Sequence, residues 1–145
     1  MRKKIGIEFR AINNLIGRFI ENHCNKKSVD SITGTNGWII GYISEHSDTN
    51  IYQKNLEEEF SITRSTASKV VNLMVEKGLI QRQTVAHDAR LRKLVLTQKA
   101  EEVVSLMAED GVRVENTLLR GFSEPEILQL YAYLARIKEN LLERK

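Results

Sequence analysis

The sequence predicts a mainly α-helical fold that carries one small β-sheet. Apolar residues recur at helical spacing in six stretches of the chain, whereas residues 79–96 contain two short runs rich in β-branched residues, as strands do. The 145 residues have the usual size of a single domain, and 41% of them are hydrophobic, which is enough for a packed core. The expected order is four helices, two strands and two helices.

The helix expected between Thr63 and Gly78 has an apolar face and a separate polar arc. Thr63 can begin it, because a side-chain oxygen at this position accepts hydrogen bonds from the free N–H groups of the first turn. Gly78 can end it, because glycine readily adopts the left-handed conformation of a helix stop. The polar arc contains Ser65, Ser68, Lys69 and Asn72, and the apolar face contains Ile62, Ala67, Val70, Val71, Met74 and Val75.

Two strands follow this helix, at residues 79–85 and 94–96, and the segment AHDARLRK at residues 86–93 is expected to form an exposed tip between them. The tip carries Arg90, Arg92, Lys93 and an occasionally protonated His87. A polar-faced helix followed by a cationic two-stranded ribbon is the arrangement of a winged helix-turn-helix. Such a helix fits the major groove of DNA, and the ribbon can place an arginine in the adjacent minor groove.

The charge distribution supports this interpretation. The net charge is only +3, but residues 61–99 hold eight cations and two acids, whereas residues 28–60 hold one cation and six acids. The basic block coincides with the predicted helix and ribbon, as expected of a surface that binds phosphates. Fluctuation of surface charge along the chain is the alternative explanation, and charge alone does not exclude it.

The ribbon also carries a family resemblance. The segment DARLRKLVLT at residues 88–97 resembles the wing of MarR-type transcriptional regulators, in which Asp-x-Arg precedes a basic strand ending in Leu-Thr. The segment RSTASKVVNLMVEKGLI at residues 64–80 is similar to that family's recognition helix and first wing strand. The resemblance extends through the flanking helices over nearly the whole chain. It implies a regulator, typically a repressor, that binds an inverted-repeat operator in double-stranded DNA as a homodimer.

Specific DNA contacts follow from the resemblance and the polar arc. Arg64 or Lys69 is expected to contact guanine, while the hydroxyl groups of the helix contact mostly phosphates. Arg90, helped by Arg92, is expected to enter the minor groove, and Asp88 to orient the wing by pairing with an arginine. The full set of predicted DNA-binding residues is Gln53, Lys54, Thr63, Arg64, Ser65, Thr66, Ser68, Lys69, Arg82, Asp88, Arg90, Arg92 and Lys93.

The terminal helices are expected to mediate dimerisation. A single domain would span residues 1–145, with a DNA-binding lobe at residues 33–97 and dimerisation helices at residues 1–27 and 98–145. An intramolecular core is the simpler alternative for the first helix. Its apolar stripe contains Ile5, Phe9, Ile12, Ile16, Phe19 and Ile20.

Helix boundaries are expected from local signals. Residues 25–32 are interpreted as a polar loop, Thr33 as the cap of the next helix, and Thr49 or Asn50 as the cap of a helix that ends near Phe60. A very short strand before this helix or before the wing would escape such a reading. The acidic run Glu57–Glu59 is expected on a solvated face that points away from DNA, because it would repel phosphates. Thr97 is expected to end the wing and to cap one helix with an apolar stripe from Ala100 to Leu118. Residues 123–126 are expected to form a capping box with proline in the first turn of the last helix.

A small effector and an oxidant sensor are two further hypotheses. His23, Trp38 and Tyr42 could line a cavity for a small aromatic or phenolic effector, of the kind that the family often binds; ordinary packing is the alternative. Cys24 could sense oxidants, as in some relatives. However, a position at the C-terminal end of a helix disfavours the thiolate, so a silent cysteine is favoured. The histidines and the cysteine show no metal-ligand spacing.

Other protein classes are disfavoured. The sequence contains no serine elbow, glycine-rich phosphate loop or paired-carboxylate motif, so we expect neither an enzyme nor a cofactor. It contains no apolar run of membrane-spanning length and no signal peptide, and one cysteine fits a reducing cytosol; a cytoplasmic protein is expected. A winged-helix module that binds proteins instead of DNA is the principal alternative, although the basic tip argues against it.

Overall fold

The computed structural model describes residues 2–142 and divides the chain into two compact units, residues 1–111 and residues 112–145. Within the described residues there are eight α-helices and one antiparallel pair of strands. In chain order the elements are α1 (Ile5–His23), α2 (Lys26–Thr33), α3 (Gly37–Glu45), α4 (Gln53–Phe60), α5 (Arg64–Glu76), β1 (Ile80–Val85), β2 (Asp88–Leu96), α6 (Gln98–Met107), α7 (Asp110–Leu118) and α8 (Glu124–Leu141).

The hydrophobic core lies in the first unit, where α3, α4, α5, β1 and α6 meet. Gly37 allows α3 to approach α2 closely, because a Cβ atom there would lie only 2.6 Å from Val29 Cγ1. At Gly41 a Cβ atom would lie 3.2 Å from Met107 Cε, so α6 also packs closely on α3. The largest fully buried side chains are Ile39, Ile40, Leu56, Val71, Met74, Leu79, Ile80 and Val103.

Helices α4 and α5 form the predicted helix-turn-helix. The turn passes through Ser61, whose φ of 50° lies in the left-handed region, and Ile62. Thr63 begins α5 as predicted: its Oγ1 accepts a hydrogen bond from Thr66 N at 3.1 Å. Gly78 has a φ of 73°, which confirms the predicted left-handed residue after the helix. Burial of Leu56 and Ala67 at zero exposure fixes the two helices against each other and the core.

The β-sheet is more extensive than predicted. Strand β2 begins at Asp88 rather than at residue 94, so only Ala86 and His87 form the turn. The pairing runs from Ile80 with Leu96 to Val85 with Asp88, with one irregularity at the outer end. Residues 89–92 of β2 are all exposed, so the outer half of this strand gives no alternating hydrophobic signal in the sequence. An isolated bridge joins Ile51 to Leu94, the kind of short strand that a sequence pattern misses.

Residues 25–32 were wrongly predicted as a loop, because most of them form α2. Val29 is buried, and Lys26 pairs with Asp30 one turn later at 2.5 Å. This contact raises the pKa of the Lys26 ammonium, chiefly through its hydrogen bond to the carboxylate. Thr33 is the last residue of α2 instead of a cap, and its hydroxyl donates to the Val29 carbonyl at 2.9 Å. A short amphipathic helix with few apolar residues therefore resembles a loop in sequence.

Two other predicted boundaries are also wrong. Tyr52, not Thr49 or Asn50, precedes α4, and its N–H donates to Asn55 Oδ1 at 2.7 Å. The helix expected from Thr97 onward is interrupted between α6 and α7. Asn25 Nδ2 donates to the Leu106 carbonyl at 2.9 Å, and Asn25 N donates to Asp110 Oδ2. Leu106 O would otherwise accept from the N–H four residues later, so the long-range contact competes with a continuous helix.

The second unit contains most of α7 and all of α8. Ser123 and Glu126 form the predicted capping box, with Ser123 N donating to Glu126 Oε1 at 2.8 Å. These contacts lower the pKa of the Glu126 carboxyl, because they stabilise its charged form. Tyr131 Oη lies 3.5 Å from Glu115 Oε1 and links the two helices. Neither helix contains a fully buried residue. None of the described helices in either unit is long and apolar enough to cross a membrane.

Candidate nucleic-acid interface

The hairpin of β1, the two-residue turn and β2 is the wing of this structure. An open groove of about 580 Å³ lies between the start of α4, the start of α5 and the wing. It collects Gln53 and Lys54 of α4 together with Arg64 of α5, all predicted DNA-contacting residues that are distant in sequence from the wing. Gln53 Nε2 lies 3.5 Å from the Arg64 carbonyl and bridges the two helices. The remaining lining residues are Tyr52, Glu57, Arg82, Arg90, Leu91, Arg92 and Leu94.

The strand register explains part of the clustering of the wing arginines. Side chains two residues apart on a regular strand point to the same face, which groups Arg92 with Leu94, whereas Arg90 lies in the irregular stretch between the pairs Thr84–Arg92 and Val85–Asp88 and lines the groove there. Arg82 on β1 pairs with Leu94, two residues beyond Arg92, and so lies on that face as well. Lys93 lies on the opposite face, where it lines a separate cleft with residues such as His46 and Glu101. The structure thus separates Lys93 from the three arginines of the wing, which line the groove.

The outer surface of α5 presents the rest of the predicted set. Its first turn and a half is exposed, apart from a buried Ala67 and a half-buried Ser68. The hydroxyl groups of Thr63 and Thr66 lie 3.0 Å apart and hydrogen bond to each other, so they help to build the helix start as well as its surface. The exposed residues are Thr63, Arg64, Ser65, Thr66 and Lys69.

Asp88 holds the outer part of the wing. Its Oδ1 accepts a hydrogen bond from Arg90 N at 2.9 Å and lies 3.6 Å from Arg90 Nε. The Arg90 side chain is otherwise free of packing, with 93% of its surface exposed. The carboxylate thus contacts both the backbone and the guanidinium of Arg90, and the orienting role of Asp88 stays a prediction.

Comparisons with known proteins identify the family. Residues 30–91 match the model of the MarR family. The crystal structure of the transcription regulator MarR from Oenococcus oeni PSU-1 is 31% identical to this chain, with 94% of this chain and 99% of that chain covered and a TM-score of 0.76. This chain belongs to the MarR family of transcription regulators. The regulator SlyA is 25% identical, with 92% of each chain covered and a TM-score of 0.65.

More distant MarR-family structures share the fold. Staphylococcus aureus MepR in its DNA-binding conformation is 23% identical to this chain and reaches a TM-score of 0.80, covering 97% of this chain and all of that one. The complex of MepR with DNA is also 23% identical, with a TM-score of 0.72 and coverage of 96% and 97%. These likenesses confirm the predicted winged-helix architecture, including the small two-stranded wing.

Two features of this MarR-family groove were absent from the predicted contact set. Asn72 falls on the polar arc of α5 and accepts a hydrogen bond from Arg82 Nη2 at 2.5 Å. The arc indicated its exposure, but no sequence signal indicated its partner. Glu57 lines the groove and is half-buried, whereas the whole acidic run was expected to point away from DNA. It places a negative charge beside the cations.

The predicted effector residues are only partly brought together. Trp38 and Tyr42 lie one turn apart on α3, and both pack edge-on against Phe60 at centroid distances of 4.5 and 5.6 Å. His23 instead stacks on Phe19 of its own helix. The pKa of the Tyr42 hydroxyl is raised, mainly by burial and further by the charges of Glu59 and Glu58. Phe60 was not predicted to join this cluster, because nothing in the sequence relates the end of α4 to α3.

The described residues contain no group of three or more histidine, cysteine, aspartate or glutamate side chains arranged to hold a metal ion. Cys24 is half-buried at the end of α1. The hypothesis that it senses oxidants stays a prediction.

Proposed function

We propose that this MarR-family regulator binds double-stranded DNA sequence-specifically as a homodimer and represses transcription from the promoters it occupies. The observation that carries the proposal is the convergence of cations from three elements on one groove: Lys54 from α4, Arg64 from α5, and the wing arginines. Cations that are gathered on one face repel one another, and bound anions offset this repulsion. The phosphates of a DNA duplex supply such anions.

The shape of this surface supports DNA rather than a small anion as the ligand. The exposed start of α5 projects beside the groove, and an α-helix is the element that the major groove admits. The wing extends the cationic face away from the helix, toward the position of an adjacent minor groove. MepR, a protein of the same fold, has been crystallised with DNA. In this arrangement Arg64 and Lys69 read bases or bind phosphates, and Arg90 with Arg92 enters the minor groove.

Homodimerisation is supported by the apolar surfaces of the terminal helices. In the first unit, α1 has no buried residue, and Ile5 and Leu15 are 66% and 58% exposed. In the second unit, Leu128 and Leu141 of α8 are 68% and 75% exposed. Extended exposed apolar surface marks an interface. We therefore assign residues 1–27 and 98–145 to dimerisation and residues 33–97 to DNA binding, and expect an inverted-repeat operator, since protein symmetry is mirrored in its site.

A small aromatic or phenolic effector would fit beside Trp38 and Tyr42. Their rings are half-buried, so they offer apolar faces without being enclosed in the core. Binding there would act on α3 and on the end of α4 through Phe60, and α4 leads directly into the DNA-contacting helix. Release of the operator by such a ligand forms part of the proposal.

Binding of a protein partner through the wing, without DNA, is the alternative function. A gel shift with genomic DNA fragments distinguishes the two, because DNA binding through phosphates weakens steeply as salt rises. We expect retarded complexes with the native protein and none with a variant that combines Arg64→Ala and Arg90→Ala. Equal retardation by both proteins, or none by either at low salt, would contradict the proposal.

A further inference from the structure

Arg82 is held differently from the other cations of the groove. It is half-buried near the middle of β1, and its Nη2 donates a hydrogen bond to Asn72 Oδ1 on α5 at 2.5 Å. Arg90 and Arg92 are exposed on the outer part of β2. We propose that Arg82 and Asn72 form a strut that fixes the angle between the wing and α5. The inference rests on the proposed function, since that angle sets the spacing of the two elements that contact DNA.

The position of the contact suits a strut. The wing leaves α5 through Lys77 and Gly78, and its base is anchored because Leu79 and Ile80 are buried. The Thr97 hydroxyl, which donates to the Gly78 carbonyl at 2.6 Å, ties the other strand to the same base. Beyond Ile80, β1 has no fully buried residue. The hydrogen bond between Arg82 and Asn72 joins a side chain of α5 to the part of β1 that lies beyond this buried base.

The chemistry of the pair also suits an orienting contact. A guanidinium bonds through a rigid planar fork, and a hydrogen bond to a charged group is stronger than one between neutral groups. Asparagine is a weak helix former, and in α5 its carbonyl oxygen is used by this one long-range bond. Arg82 borders both the DNA groove and a second cleft behind it, which is lined by Val75 and Gln98. It thus lies at the junction of helix and wing.

Loss of either partner would remove the same constraint. A wing with a wider range of angles spends less time with Arg90 and Arg64 at the spacing that fits the two grooves of DNA. The affinity for the operator therefore falls, although neither contact residue has changed. Asn72→Ala removes no charge. If Arg82 acts only through Asn72, removal of its charge also leaves the count of neutralised phosphates unchanged. The two substitutions are then expected to have equal and non-additive effects.

A double-substitution cycle on operator DNA tests the coupling. Asn72→Ala, Arg82→Ala and the double variant are titrated at three salt concentrations, with Gln83→Ala on the opposite face of β1 as the control. We expect each of the three to bind about fivefold more weakly than the native protein, with the native salt slope, and the control to bind normally. Additive losses, or a salt slope lowered by about one for Arg82→Ala alone, would instead identify Arg82 as a phosphate contact and overturn the strut.

A measurement without DNA separates the strut from the proposed function. Spin labels at Glu76→Cys on α5 and Ala86→Cys at the wing turn, in a Cys24→Ser background and mixed with an excess of unlabelled protein so that each dimer carries one labelled subunit, report the distance distribution between helix and wing. We expect a narrow distribution that broadens equally with Arg82→Ala and with Asn72→Ala. An unchanged distribution in both variants would overturn the strut even if the protein binds DNA. Broadening in a protein that binds no DNA would uphold the strut while the proposed function fails.

Discussion

At the scale of single residues, the groove cations differ in what holds them. Arg82 hydrogen bonds to Asn72 on α5, Arg90 contacts Asp88 two residues earlier, and Arg64 lies at the exposed start of its helix. A side chain with little packing contributes little to folding, so its substitution separates binding from stability. The wing residues Arg90 and Asp88 offer this separation most clearly.

Arg90→Ala is expected to weaken operator binding at least tenfold, about 1.4 kcal/mol. The loss arises because a minor-groove arginine gains from the concentrated phosphate potential between the groove walls. The free energy of unfolding should change by no more than about 0.5 kcal/mol, as is usual for an exposed surface residue. Fluorescence anisotropy and thermal unfolding measure the two quantities. A variant that binds as tightly as the native protein would exclude this arginine from the interface.

Asp88→Ala is expected to weaken binding as well, although it deletes a negative charge from a DNA-binding surface. The reason is that Asp88 Oδ1 fixes both the backbone N–H and the guanidinium of Arg90. Asp88→Asn is the matched control: it also removes the charge but can still accept the backbone hydrogen bond, so it should bind more tightly than Asp88→Ala. Tighter binding by Asp88→Ala than by the native protein would show that electrostatic repulsion outweighs orientation.

At the scale of elements, hydroxyl caps position the helices around the wing. Thr97 does this twice, since its Oγ1 accepts a hydrogen bond from Ala100 N at 3.3 Å and donates to the Gly78 carbonyl at 2.6 Å. It therefore fixes the start of α6 and the end of α5 at the same point. The wing leaves the rest of the unit at this position, so the cap supports the interface without touching it.

Thr97→Ala is expected to lower the free energy of unfolding by about 1–2 kcal/mol, since it removes a helix cap together with a second hydrogen bond. Thr97→Ser retains the hydroxyl group and should recover most of the loss. Urea denaturation followed by circular dichroism measures both variants. Equal stability of the alanine and serine variants would show that the hydroxyl contributes nothing and that only the methyl group matters.

The sequence predicted those elements whose signals are local. Thr63, Gly78, Thr97 and the Ser123 capping box mark helix ends by their own chemistry, and the structure confirms each of them. Two of the errors arose where distant contacts decide the structure. Asn25 interrupts the helix after Leu106, and cross-strand hydrogen bonds extend β2 outward to residue 88. No periodic pattern within one segment contains either contact.

For the candidate site too, the sequence predicted what depends on residue type and missed what depends on distant contacts. Family resemblance and charge predicted which residues contribute to the DNA-binding surface. They did not predict the faces, because a strand exposes neighbouring side chains on opposite sides. The structure places Arg90 and Arg92 in the groove and Lys93 outside it. The partner of Arg82 could not be predicted either, since it lies ten residues away on another element.

At the scale of the whole molecule, the exposed apolar faces of the terminal helices predict a dimer at micromolar concentration. Leu128→Glu should convert the dimer to a monomer and weaken DNA binding together, because a carboxylate in an apolar interface lacks compensation for lost solvation. Gln129→Glu, at the neighbouring exposed position, adds the same charge and should remain dimeric. Sedimentation equilibrium measures both. A native protein that sediments only as the 16.6 kDa monomer would contradict the assembly.

Sequencing of the genomic DNA fragments that the native protein retains tests sequence-specific recognition by the α5–wing surface most directly. The expected result is a shared inverted repeat whose half-sites are centred about one helical turn, roughly 10 base pairs, apart, as required by two symmetry-related recognition helices. The motif should be lost from the fragments retained by Arg64→Ala combined with Arg90→Ala. Retained fragments without any common motif, or the same motif with both proteins, would contradict the account.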